Sequence, residues 1–370
     1  MQSRRIFSRV LGLVAIATLA QAPALGRERT PVIFEEGAPY LHPHTGISVP
    51  AVLGGIDKRK GTNFSTDALN VGLSYDAPGS TEAVSVYIYR VTSGSLPVWF
   101  AQARSSIAAR PAYNSPKLAY TVEAITPPGQ GAGTGLQAIY DTPDSQYFIS
   151  TGVAMFAIDG WYVKIRASSS TRDAEALRAW MNEVVASLTL PQGNAPAVAP
   201  IEDCASRLKF KGTSKDVEAS AASGMLGGLI SGIVMDKAAK EREAAESGDT
   251  NSEGKAATPV IFCRDHEIEP GRAIYRANES EDSFLFALTD SGVGVSVGRD
   301  RLGQFLSDQE DSEPQYSVTL HLEDINVSYT PQNQLPNPER VLEILDENRV
   351  TGTVSTWGDR TRMTIGAGEP

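Results

Sequence analysis

The stretch GWYVKIRASSSTRDAEALRAWMNEVVASLTL, residues 160–190, sets the fold of the first half of the chain. Its opening GWYVKIRA (160–167) reads as a strand. It pairs back onto residues 147–157 in a hairpin that turns at Asp159-Gly160. A helix then begins, with Thr171 as the N-cap and the acids Asp173 and Glu175 in the first turn, where the helix dipole favours negative charge. Ala176, Leu177, Trp180, Val184 and Leu188 recur at spacings of three and four, which gives one apolar stripe to lay on a sheet.

Working back from there, residues 83–91 (AVSVYIYRV) set Val84, Val86 and Ile88 against Ser85, Tyr87 and Tyr89, the period-two pattern of a strand. Residues 118–125 and 136–140 read as two more strands, separated by PPGQGAGTG (127–135), a loop of turn formers. A second helix is expected over 96–110, with Trp99, Ala103 and Ile107 on its inner face. The expectation is α+β, an antiparallel sheet with helices on it. The run 160–190 resembles the end of PsbP/Mog1-like domains, in which a strand with a basic residue precedes a last helix and a short strand. HTGISVPAVL (44–53) resembles their N-terminal hairpin. The resemblance implies that fold and a binding or assembly role, and it carries no catalytic residue.

The chain has 370 residues, more than one core usually holds, so two domains are expected. Residues 27–200 carry 13 Lys+Arg against 14 Asp+Glu, and residues 201–370 carry 17 against 30. The break falls at PQGNAPAVAP (191–200), uncharged and proline-rich, which reads as an extended spacer. The domains are therefore set at 30–190 and 201–370. The acidic second half argues against nucleic acid, whose phosphates need a basic face. It reads as short strands at 204–210 and 259–263 and as hairpins at 284–297 and 316–329. A helix follows over 337–348, with Pro338 at its first position and Val341, Leu342 and Leu345 inward, and a last hairpin closes around Trp357-Gly358-Asp359. Each domain is thus an antiparallel sheet with one or two packed helices.

Residues 1–26 have the three parts of an export signal: Arg4, Arg5 and Arg9, an apolar run over 10–20, and small residues around Ala24 and Gly26, where cleavage is expected. Ser3-Arg4-Arg5-Ile6-Phe7-Ser8-Arg9 resembles the twin-arginine signal, with Ser8 in place of its usual Leu. An ordinary Sec signal remains the alternative reading. Both place the mature chain in a bacterial periplasm. There the pair Cys204 and Cys263 is expected to form a disulfide. It would close a loop of about 60 residues and contribute roughly 4 kcal/mol on the chain-entropy model.

Between the cysteines, residues 216–246 read as one helix in which Ser220, Gly224, Gly228 and Gly232 repeat every four residues. That spacing lets two helices approach closely. Three readings stay open for this insert: docking on the chain or a second copy, a disordered insert, and membrane contact through the uncharged 219–235.

The catalytic patterns are thin. Gly294-Val295-Ser296-Val297-Gly298 matches the nucleophile-elbow pattern, but Val293, Val295 and Val297 alternate as a hairpin strand, and His321 is the only later histidine. Gly292, Gly294 and Gly298 lack the dinucleotide spacing. Ser206 with Lys209 and Ser252 with Lys255 match S-x-x-K without the companion motifs. His42 and His44 read as an exposed N-terminal loop, Asp265-His266-Glu267 as a solvated strand end, and residues 308–313 as a charged surface loop without calcium-loop spacing. The expectation is an exported, non-catalytic binding or assembly factor of the bacterial envelope, with no cofactor or metal. Its partner is an envelope protein or a second copy of itself. The alternatives are a periplasmic enzyme of unrecognised type that is exported folded, and a membrane-associated structural protein.

Overall fold

The computed structural model describes residues 29–217, 260–300, 314–358 and 360–365. The export signal expected at 1–26, the Ser252 and Lys255 pair, the acidic run 308–313 and the four-residue repeat at Ser220, Gly224, Gly228 and Gly232 lie outside the described residues.

The first half carries β1 (Thr30–Pro31), β2 (Tyr40–Leu41), β3 (Ser48–Val49), β4 (Arg59–Asn63), β5 (Asn70–Asp76), β6 (Glu82–Arg90), α1 (Leu96–Ala108), β7 (Lys117–Leu118), β8 (Glu123–Ile125), β9 (Gly135–Asp141), β10 (Ser150–Ile158), β11 (Trp161–Ser169) and α2 (Ala174–Ala186). An antiparallel sheet runs in the order β1-β4-β5-β6-β11-β10-β9-β7, with β8 also on β9; β2 and β3 pair apart. The second half carries β12 (Glu202–Asp203), β13 (Phe262–Glu269), β14 (Arg272–Ala277), β15 (Ser283–Ala287), β16 (Gly294–Arg299), β17 (Tyr316–His321), β18 (Ile325–Gln332), α3 (Pro338–Glu347), β19 (Val350–Ser355) and β20 (Met363–Ile365). These strands form a nine-stranded meander in chain order. All its pairs are antiparallel except β12, which lies parallel to β13.

The local chemistry explains the first sheet. Asp159 and Gly160 both have positive φ, 45° and 81°, and Ile158 pairs directly with Trp161. Positive φ at both central residues matches the right-handed twist of the flanking strands. Along β11, Trp161, Val163, Ile165 and Ala167 face the side that α2 covers with Leu177, Trp180, Met181 and Val184. Trp180 donates to the Gly54 carbonyl at 3.0 Å. Gly54 has φ +58°, and a Cβ there would sit 2.6 Å from the indole, so the contact requires glycine. The N-cap of α2 is Asp173, not Thr171. The Asp173 carboxylate accepts from the Ala176 N–H at 2.9 Å, while the Thr171 hydroxyl turns to Glu82. A carboxylate at this position serves both the cap and the dipole.

The opposite face of the first sheet meets α1. Leu96, Val98, Trp99, Phe100, Ala101, Gln102, Ala103 and Ile107 are all buried, so the helix is covered nearly all round. It is covered because it lies between two sheets. One core cluster joins Tyr89, Trp99, Leu136, Val153 and Met155 to Ala273, Tyr275, Leu285 and Ala287 of β14 and β15. On the far face of the second sheet, Val295, Val297, Val318 and Leu320 pack against Val341, Ile344 and Leu345 of α3. Asn337 caps α3 by accepting from the Arg340 N–H, and Pro338 stands at its start. The layers therefore run α2, first sheet, α1, second sheet, α3, a mostly-sheet α+β architecture.

Several elements differ from the sequence expectation. The strand expected at 118–125 is two short ones, β7 and β8, both on the edge of β9. Residues 204–210 are irregular after the two-residue β12. The sequence pattern does not announce strands β4, β5 and β14. The proline-rich run at 191–200 lies on the glycine-rich loop: the Gly193 N–H donates to the Gly129 carbonyl, Val198 N–H to Gly133, and Gln130 to the Pro191 carbonyl. Cys204 and Cys263 form a disulfide with Cα atoms 5.0 Å apart. The parallel pairing of Glu202 with Cys263 and Asp203 with Arg264 sets the two thiols side by side.

Candidate functional site

The polar chemistry of the chain collects along the seam where the two sheets meet. Three groups of side chains lie there.

The first group comes from the sequence pattern around Ser296. Strand β16 places Ser296 opposite Thr319, and β17 pairs His321 with Asn326 of β18, all on the face turned to α1 and the first sheet. Ser296 Oγ lies 2.8 Å from His321 Nε2, and His321 Nδ1 lies 2.9 Å from Asn326 Oδ1. An amide oxygen can only accept, so Nδ1 carries the proton and Nε2 accepts from the serine hydroxyl. The order hydroxyl, imidazole, amide is that of a nucleophile with its base and orienting group. Two features set it apart from a working relay. Strand β16 is paired on both sides, to β15 and β17, so the backbone N–H groups around Ser296 are held in ladders and do not converge as an oxyanion hole. His321 is also buried, and burial pushes its pKa down to about 4, which makes a weak base.

The second group holds the seam by charge. Lys164 and Arg166 stand on the α1-facing side of β11, with side chains 3 % and 8 % exposed. Asp290, on the turn between β15 and β16, reaches across: Oδ2 lies 3.0 Å from Lys164 Nζ and 2.6 Å from Arg166 Nη2. Burial resists the charge on Asp290, but Lys164 and Arg166 win and hold its carboxyl well below the usual carboxylate range. Burial outweighs Asp290 at Lys164 and draws its pKa down to about 8.

The third group is aromatic. His42 is 1 % exposed, so it is not in an exposed loop. Its Nε2 donates to the Ala68 carbonyl at 3.0 Å and its Nδ1 accepts from Thr45 at 3.0 Å, which fixes a neutral ring. Burial, against the help of the Ala68 carbonyl, pushes its pKa down to about 4. His44 stacks on Trp161 and meets Trp357 of the second half edge-on, while Trp357 donates to Asp67. Arg90 donates to the Glu323 carbonyl and to Thr356, and Thr92 to the Leu322 carbonyl.

The cluster at Asp265 also departs from expectation. Asp265 is not solvated: its side chain has no exposed surface and bonds Arg276 Nε at 2.8 Å, His266 Nδ1 at 2.5 Å and the Leu208 N–H at 2.7 Å. A register shift between Arg264 and His266 turns the carboxylate inward. Ser206 and Lys209 are exposed on either side of buried Leu208. Gly292 has φ +90° at the turn, and Gly294 and Gly298 lie within β16, where no helix opens. Among the described residues no three His, Cys, Asp or Glu gather as a metal site. An open groove of about 340 Å³ beside α2 is lined by Ile125, Thr126, Pro128, Asn182, Val185 and Ala186, none of them singled out by the sequence. Among the described helices none is long and apolar enough to cross a membrane.

Sequence reading missed the Lys164, Arg166 and Asp290 group entirely. Its one local signal was two cations at alternate positions of a strand, within KIR. Comparison with protein-family models, with curated proteins and with solved structures finds no match.

Proposed function

We propose that the chain is an exported binding or assembly factor of a bacterial envelope that acts by contact rather than by covalent chemistry. The observation that supports this most is where the reactive residue types go. Ser296 and His321 are bonded to each other within the second sheet, His42 is bonded to Ala68 and Thr45 within the first half, and Lys164 and Arg166 ion-pair with Asp290 across the seam. A disulfide of this kind fits an oxidising compartment, and the leader expected at 1–26 fits export.

The partner is a polypeptide of the envelope or a second copy of the chain. Ile33, Leu41 and Val52 keep 87 %, 65 % and 53 % of their surface exposed and serve as probe positions. A photo-crosslinker at each position, in chain expressed in the periplasm, is expected to give a discrete adduct with one protein. Absence of any adduct from all three positions, together with robust hydrolase turnover by the purified chain that Ser296→Ala abolishes, would overturn the reading in favour of the exported enzyme.

A further inference from the structure

We propose that Lys164 and Arg166 form a socket for a small oxyanion, a carboxylate or phosphate group, which binds beside Asp290 in the seam. The argument starts from charge. Two cations lie buried within reach of each other, and among the described residues Asp290 is the one carboxylate at salt-bridge distance from either. Arg110, exposed at the surface, adds a third cation within electrostatic reach of both Lys164 and Asp290. A buried surplus of positive charge is costly unless an anion meets it.

The hydrogen-bond pattern points the same way. Both cations use one atom, Oδ2 of Asp290, and Lys164 takes the backbone carbonyl of Asp290 as well, at 2.6 Å. Arg166 Nη2 bonds Oδ2 and the Ala103 carbonyl, but Arg166 Nε is buried and makes no hydrogen bond. A guanidinium with an unused N–H beside an ammonium suits the paired oxygens of a carboxylate or phosphate.

The edge of the cluster meets solvent at Asp290. Asp290 keeps 24 % of its side chain exposed. Tyr87 and Ser85, the cross-strand partners of Lys164 and Arg166, are half-buried, as is Ser291 next to Asp290. The surroundings register the surplus too. Tyr113 is buried, which raises a phenol, yet hydrogen bonds to Ser168 and Thr151 and the charges of Arg110 and Arg166 bring it below its ordinary value. This inference concerns a ligand and stands whether or not the docking reading above holds.

The test titrates the full chain with inorganic phosphate and with acetate, at ionic strength held constant with sodium chloride. The readouts are Tm and the Nε–H resonance of Arg166. The expected result is a saturable Tm rise of several degrees and a saturable shift of the Arg166 resonance with either oxyanion. In Lys164→Met, which leaves one cation facing one carboxylate, both responses are expected to fall at least tenfold in apparent affinity. Vesicles of anionic phospholipid form a further arm: co-sedimentation that phosphate competes away assigns the oxyanion to a lipid headgroup, and its absence assigns a free solute. An Arg166 resonance in the wild-type chain that phosphate and acetate leave where chloride leaves it overturns the proposal, whatever the variant does.

Discussion

His321 and His42 are both neutral in the folded chain because burial makes their protonated forms costly. In the unfolded chain each titrates near its ordinary value of about 6.5. Between that value and about 4, the unfolded state binds protons that the native state refuses, so stability falls as pH falls through this window and is flat above it as far as these groups are concerned. The loss at pH 5 is expected to be about 2 kcal/mol for each histidine. Denaturant unfolding at pH 7.5 and pH 5 measures it. His321→Gln is expected to halve the difference, while lowering stability at both values because Ser296 and Asn326 lose a buried partner. A pH-independent midpoint from 7.5 to 5 would show that neither ring is buried as described.

The elements show where sequence reading succeeds and where it stops. A stop signal made of covalent geometry, such as Asp159-Gly160, is local and was legible. So were the alternation of β6, the stripe of α2 and the proline at the start of α3. The sequence pattern places the cap of α2 two residues early because Thr171 and Asp173 are both good caps, and the choice depends on Glu82 from another strand engaging Thr171. Asp173→Ala is therefore expected to cost about 1 kcal/mol and Thr171→Ala only a few tenths, measured by thermal unfolding. The reverse ranking would restore Thr171 as the cap. Strand β4 (RKGTN) has no apolar face to announce it, and β14 (RAIYRA) is short and flanked by arginines. Tertiary pairing alone makes them strands. The candidate seam was less legible still. Ser296 with His321 was visible as a pattern, but the pairing of Lys164 and Arg166 with Asp290, more than 120 positions away, leaves no mark in local periodicity.

At the scale of the whole molecule, the shared cluster around α1 and the charged seam make the two sheets depend on each other. Calorimetric unfolding is expected to show one cooperative transition, with calorimetric and van't Hoff enthalpies in agreement. Two resolved transitions would mean that the seam contributes little. The Cys204–Cys263 bridge spans 59 positions, so the double variant Cys204→Ser with Cys263→Ser is expected to lose roughly 4 kcal/mol on the chain-entropy model. Chemical denaturation of the oxidised and variant chains checks this.

The placement of α1 as a middle layer also fixes an order of events at birth. The amino-terminal half emerges first, and until β13 to β16 arrive, the flank of α1 around Trp99 and Gln102 has nothing to rest on. The nascent polypeptide must carry that bare flank through synthesis of almost 200 further residues. A cell that makes this protein therefore has to shield a sticky helix for the whole of that interval.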